Sequence, residues 1–146
     1  MSRREKALID TLRYLVVEHD PRYDVEAYLF VREALDYTVK ELKKPESGED
    51  RHVSGQELSE GIRRYALSQF GPMALTVLNS WGVKRTDDFG EIVFNLIEVG
   101  ELGMREEDRR EDFSSVYDFD IAFKVPFLTE SKAEELIKAK EKEGGA

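Results

Sequence analysis

The residues best suited to chemistry in this chain are carboxylates, and they crowd one stretch. Between Asp87 and Asp120 stand twelve Asp or Glu residues and three arginines, a net charge of −9. The whole chain also sums to −9, so the remainder is neutral. Hard cations such as Ca²⁺ and Mg²⁺ take several oxygen ligands, which makes Asp112, Asp118 and Asp120 the candidate metal ligands. Their spacing lacks the glycine turn and closing glutamate of a calcium loop, so a solvated charged segment is the stronger expectation. Glu106, Glu107, Asp108 and Glu111 are the candidate partner-binding residues, because a dense acidic edge steers a basic surface.

The other reactive types are sparse. The two histidines, His19 and His52, each have carboxylates nearby in sequence: Glu18 and Asp20 for one, Asp50 for the other. A base or ligand role needs partners that converge in space. Both histidines lie near expected helix ends, where a ring nitrogen commonly bonds terminal backbone groups. There is no cysteine, which excludes disulfides, thiolate metal sites and cysteine nucleophiles and fits a cytoplasmic protein. No serine sits in a nucleophile-elbow context. Gly100-Glu101-Leu102-Gly103 is too short for a phosphate loop. No catalytic or cofactor-binding residue is assigned, and no cofactor is expected.

The elements that must position these groups read as mostly helical. Leu8, Leu12, Leu15 and Val16 give one apolar stripe over roughly Arg4 to Glu18, ended by His19-Asp20-Pro21. A second helix spans about Asp24 to Lys43, with Asp24 as its cap. Ser54-Gly55-Gln56-Glu57 has the pattern of a capping box and opens a third. Gly71-Pro72 breaks it and starts a short fourth that carries Trp81. Thr86 is the expected cap of a fifth helix. That helix is apolar on most faces and therefore central and buried. Asn95 and Glu98 interrupt it. A buried polar group left unpaired costs about 1–3 kcal/mol, so these residues line a pocket or, as the stronger expectation, bond a neighbouring backbone or, for Glu98, an arginine such as Arg63 or Arg64. Phe119, Ile121 and Phe123 alternate like a half-buried strand, with Leu102 to Met104 as its antiparallel partner. Trp81, Phe70, Met73 and Phe94 are apolar enough for a groove or dimer face, although core packing is the default explanation. Tyr14, Tyr23 and Tyr28 could mark a partner surface.

The expected fold is thus mainly α with a small β part (α+β): five to six helices and a short C-terminal strand pair. Its central part has the element order of a winged helix. One globular domain covers 1–128, with a helical hairpin over 4–44 and a three-helix plus strand-pair unit over 53–125. A polar helix or tail follows over 129–146. No apolar run approaches the ~20 residues of a membrane span.

Several strings together resemble one family. They are Tyr23-Asp24-Val25-Glu26-Ala27-Tyr28-Leu29-Phe30-Val31, His52-Val53-Ser54-Gly55-Gln56-Glu57-Leu58, Phe70-Gly71-Pro72-Met73-Ala74, Thr86-Asp87-Asp88-Phe89-Gly90-Glu91-Ile92-Val93-Phe94-Asn95-Leu96 and Asp118-Phe119-Asp120-Ile121. The family is an uncharacterised group of small bacterial proteins from planctomycetes and verrucomicrobia. The resemblance spans about Ala7 to Leu128 and implies a bacterial cytosolic protein without known catalytic residues.

The functional expectation is a non-enzymatic, cytoplasmic protein-interaction module with an acidic edge. Its partner is a basic protein or a second copy of the chain. A winged-helix DNA-associated regulator is the first alternative. Nucleic acid is disfavoured, because Asp87, Asp88 and Glu91 at the start of the fifth helix would face phosphates. A small divalent-metal-dependent enzyme using the three aspartates is the second.

Overall fold

The computed structural model describes residues 2–45, 52–103 and 108–144. Helix α1, Arg3–Tyr14, starts at Ser2, whose hydroxyl oxygen accepts from the Glu5 amide at 3.1 Å. It runs into a widened turn, Leu15–His19, which the Asp20 amide closes by donating to the Leu15 carbonyl at 2.6 Å. Such an i→i+5 turn is rare and short. Helix α2, Val25–Glu41, is capped by Asp24, which accepts from the Glu26 amide at 2.9 Å. Ala27, Tyr28, Phe30, Val31 and Ala34 share its buried face, the spacing an amphipathic helix requires.

Helix α3, Gly55–Phe70, opens on the expected capping box, with both Ser54–Glu57 hydrogen bonds at 3.0 Å. It packs tightly on α2 because Gly61 has no side chain. A Cβ there would lie 1.8 Å from Thr38 Oγ1, and that hydroxyl already donates to the Ala34 carbonyl at 2.7 Å. A 3₁₀ turn, Gly71–Met73, leads into α4, Ala74–Ser80. The turn after it has Gly82 at φ +88°, where a Cβ would sit 2.1 Å from the Arg22 carbonyl oxygen. Glycine alone tolerates both conditions. The close approach lets the Asp24 amide donate to the Trp81 carbonyl at 3.1 Å.

Helix α5, Thr86–Glu98, occupies the interior: Phe89, Ile92 and Leu96 are fully enclosed. Helix α2 packs against both α3 and α5, so residues of the 4–44 and 53–125 segments share one core. The cap of α5 differs from expectation. Thr86 is its first helical residue and donates its hydroxyl to the Phe113 carbonyl at 2.7 Å. Asp88 takes over at the helix start, accepting from the Lys84 and Arg85 amides at 2.8 and 3.1 Å.

The C-terminal part corrects the expected fold class. No strand exists among the described residues, so the α+β assignment and the strand pair of a winged helix are both absent. Residues of the expected strand form α6, Phe119–Phe123. Asp118 Oδ1 accepts from the Asp120 and Ile121 amides at 2.8 and 3.1 Å, which starts a helix. Phe119, Ala122 and Phe123 are the residues buried, at helical spacing. Phe119 and Phe123 meet edge to face at 5.1 Å, and Phe89 lies 5.6 Å from Phe119. Leu102 and Gly103 belong to no strand, and Met104 lies outside the described residues. A further 3₁₀ turn, Val125–Phe127, precedes α7, Glu130–Gly144, which buries none of its residues. No helix among the described residues is long and apolar enough to cross a membrane.

Gly61→Ala sets two effects against each other. Alanine gains about 1 kcal/mol of helix propensity, while crowding in a packed interface costs about 1–3 kcal/mol. With Thr38 so near, crowding wins. We expect a net loss of about 1–2 kcal/mol in denaturant unfolding, and a smaller loss in a Thr38→Ala background. An equal loss in both backgrounds would show that Thr38 is not the obstacle.

Candidate functional site

A cavity of about 600 Å³ opens between α2, α3, α5 and the segment around Phe113. Leu35 and Val39 come from α2, Val53 from just before α3, Leu58 from its first turns, and Val93 and Ile97 from α5. Phe94 also lines it, with the Arg110 guanidinium 5.2 Å above its ring. The walls are therefore aliphatic and aromatic.

One side is closed by a 3₁₀ turn, Arg110–Phe113. Its position follows from local chemistry. Gly55 leaves room for it, since a Cβ there would lie 2.7 Å from Asp112 Cβ. Thr86 clamps the chain beyond it, donating to the Phe113 carbonyl and accepting from the Val116 amide at 3.1 Å. Asp112 accepts from the Arg109 amide at 3.3 Å and so shapes the start of the turn.

The polar groups of the cavity are His52, Glu101, Asp108, Arg109 and Asp112. His52 Nε2 and Asp108 Oδ1 are 2.7 Å apart and both side chains are largely covered. A carboxylate at Nε2 favours the tautomer protonated there, which leaves Nδ1 of the neutral ring as an acceptor. Glu101 lies 3.9 Å from the Arg32 guanidinium, a distance too long for a hydrogen bond.

The expected site residues are dispersed. Asp112 shapes the cavity rim, whereas Asp118 and Asp120 line a separate depression with Lys84, Arg85 and Lys140. The Lys140 ammonium lies 2.8 Å from Asp120 and 3.4 Å from Asp118. Hydrogen bonding to Lys140, aided by Lys124, holds the Asp120 carboxyl below the usual carboxylate range. Among the described residues no three His, Asp or Glu side chains converge as a metal-ligand set. Of the four residues expected to engage a partner, Asp108 faces His52, Glu111 is exposed on the 3₁₀ turn, and Glu106 and Glu107 lie outside the described residues.

Other acids of the 87–120 stretch are engaged as well. Glu91 meets Arg22 and Arg110 at 3.3 and 2.7 Å, and Glu98 meets His19 at 2.8 Å rather than Arg63 or Arg64. Both of those arginines lie beside Glu60 instead. Of the aromatics named from sequence, Tyr23 and Tyr28 are buried, Tyr14 and Met73 are exposed, and Phe70 and Trp81 pack on Phe30. The His52–Asp108 pair joins residues 56 positions apart, and no local pattern signals it.

Comparison with protein-family models, curated proteins and solved structures finds no match. The chemistry of the site must therefore be read from the site itself.

A separate polar chain links the segment between α1 and α2 to α5. Asp20 accepts from the Arg22 amide, Nε and Nη2 at 3.1, 2.9 and 2.7 Å, and from Asn95 Nδ2 at 2.9 Å. Asn95 Nδ2 also donates to the Tyr28 hydroxyl at 3.0 Å. The Arg22 hydrogen bonds, with help from Asn95, hold the Asp20 carboxyl far below its ordinary range against the opposing effect of burial. A carboxylate depressed in the folded state stabilises above its unfolded pKa, near 4, and that stability is lost as pH falls further. Urea unfolding should therefore show stability dropping below about pH 5. Asp20→Asn should cost about 1–3 kcal/mol at neutral pH, a figure reduced because Arg22 is half-exposed, and should flatten the acid slope. An unchanged slope would place the acid sensitivity elsewhere.

Proposed function

We propose that this chain is a binding protein that takes a small, mainly apolar ligand into the cavity between α2, α3 and α5. The observation that carries the reading is the cavity itself. Its volume of about 600 Å³ falls within the range of small-molecule sites, roughly 300–1,000 Å³. Apolar walls with a few polar groups among them match the usual make-up of such sites.

Binding fits better than covalent catalysis. Among the described lining residues there is no Ser, Thr, Cys or Lys, which leaves carboxylates and one histidine as the possible nucleophiles. The arrangement lends less support to a basic partner steered by the acidic edge. Glu91, Glu101, Asp118 and Asp120 have cationic neighbours drawn from the fold, and Glu98 and Asp108 each meet a histidine. It lends less still to DNA in a groove. The first turn of α5 buries Thr86, Phe89 and Gly90, and Asp87 accepts from the Ser115 amide at 3.3 Å.

A neutral solvatochromic dye tests the proposal. Its emission should shift and rise with the folded chain and not with the chain in denaturant. Ile97→Trp and Leu102→Trp fill the cavity from two directions, and each should weaken dye binding about tenfold, equivalent to 1.4 kcal/mol. Circular dichroism checks that each variant is folded. No response to the folded chain, or undiminished binding in both folded variants, overturns the reading.

A further inference from the structure

We infer that, independently of the cavity, the outward face of α1 is where two copies of this chain meet as a weak antiparallel helix pair. Helix α1 has 12 residues, of which Leu12 alone is buried. Its main contact is with α2, and Leu8 and Leu12 pack on the core. Residues 3–7 are all exposed. Helices shorter than about 12–15 residues are marginal in water without packing, so this one has more surface to gain from a neighbour than its own chain covers.

The uncovered face is not simply polar. Ala7, Asp10, Arg13, Tyr14 and Val17 recur at helical spacing away from Leu8 and Leu12, and all five are exposed. Val17 is the most exposed large apolar residue described, at 73%, and Tyr14 stands at 56%. Val17 belongs to the widened turn Leu15–His19 that extends α1, a feature often found at functional positions. No side-chain hydrogen bond or ion pair engages Asp10, Arg13 or Tyr14 among the described residues.

Charge selects a second copy as the cover. From Arg3 to Glu18 the chain carries four bases and three acids, a net +1, which leaves −10 for the rest. Two copies that meet through α1 therefore avoid bringing acidic surfaces together. The face is also complementary to itself under the two-fold symmetry that most dimers have. Antiparallel packing centred at the level of Leu12 sets Ala7 opposite Val17 of the second copy, small against branched. It sets Asp10 opposite Tyr14 of the second copy and next to its Arg13, so the carboxylate gains a hydroxyl donor and a guanidinium. The symmetry repeats both contacts. A parallel pair would instead place Asp10 on Asp10 and Arg13 on Arg13. One short helix covers less than the roughly 1,200 Å² of a stable interface, so the dimer is weak, with a Kd on the order of 0.1 mM.

Sedimentation equilibrium of the full chain, from micromolar to about 1 mM, reads this association directly. Val17→Asp should abolish it. With two charge pairs per dimer, Asp10→Arg or Arg13→Asp alone should weaken it about fivefold. An equimolar mixture of those two variants should associate about as well as the unaltered chain, because one copy then presents only bases at these positions and the other only acids. Effects confined to one chain's own helix cannot produce that recovery. Circular dichroism confirms that each variant is folded. A chain that is monomeric at about 1 mM, single variants that associate undiminished, or a mixture no better than either variant alone overturns the inference.

Discussion

A nearly enclosed carboxylate, Asp20, joins the loop between α1 and α2 to the middle of α5 through Arg22 and Asn95. The rest of the packing depends on that junction being satisfied. A buried charge without a partner costs several kcal/mol, and an unpaired buried amide about 1–3. Neither penalty arises here, because each group answers the other and Tyr28 accepts the second hydrogen of Asn95. The central helix can therefore carry a polar residue in its most enclosed part. It is also held in one rotational setting, since any turn of α5 about its axis would strand both groups.

That setting decides where the other faces of α5 point. With Asn95 turned to the α1–α2 loop, Val93 and Ile97 line the cavity beside α2 and α3. Phe89 faces Phe119, and Glu91 comes within reach of Arg22 and Arg110. At the start of the helix Tyr23 donates to Asp88 at 2.5 Å, a second link to the same loop. Gly82 permits the approach that brings these segments together. The cavity is thus a consequence of how one helix is pinned rather than of any local motif.

The charge pattern has the same origin. The stretch from Asp87 to Asp120 holds the whole net charge of −9, yet the fold brings to it Arg22, Arg32 and Lys140 from elsewhere in the chain, and sets His19 and His52 beside Glu98 and Asp108. Opposite charges far apart in sequence lower each other's energy once folding places them within a few ångströms. Several of the described acids of this segment thus stand, in space, beside basic groups. Lys140 has the further effect of holding α7, which buries nothing, beside Asp118 and Asp120.

Local signals in the sequence determined most of the helices. The capping box at Ser54, the Asp24 cap, the breaks at Pro21 and Gly71 and the apolar body of α5 each act through neighbours within four residues, so they can be read directly. The pattern at Phe119, Ile121 and Phe123 misled because five residues satisfy both a two-residue and a 3.6-residue period. The bonds from Asp118 to two amides, and the aromatic partners Phe89 and Tyr117, decided for helix. Asn95 was legible as a group needing a partner, but not which partner. The cavity, the His52–Asp108 pair and the dispersal of Asp112 from Asp118 and Asp120 were decided by tertiary structure alone. Each depends on distances between segments tens of residues apart, and those distances exist only after α5 has been fixed against the loop that carries Asp20.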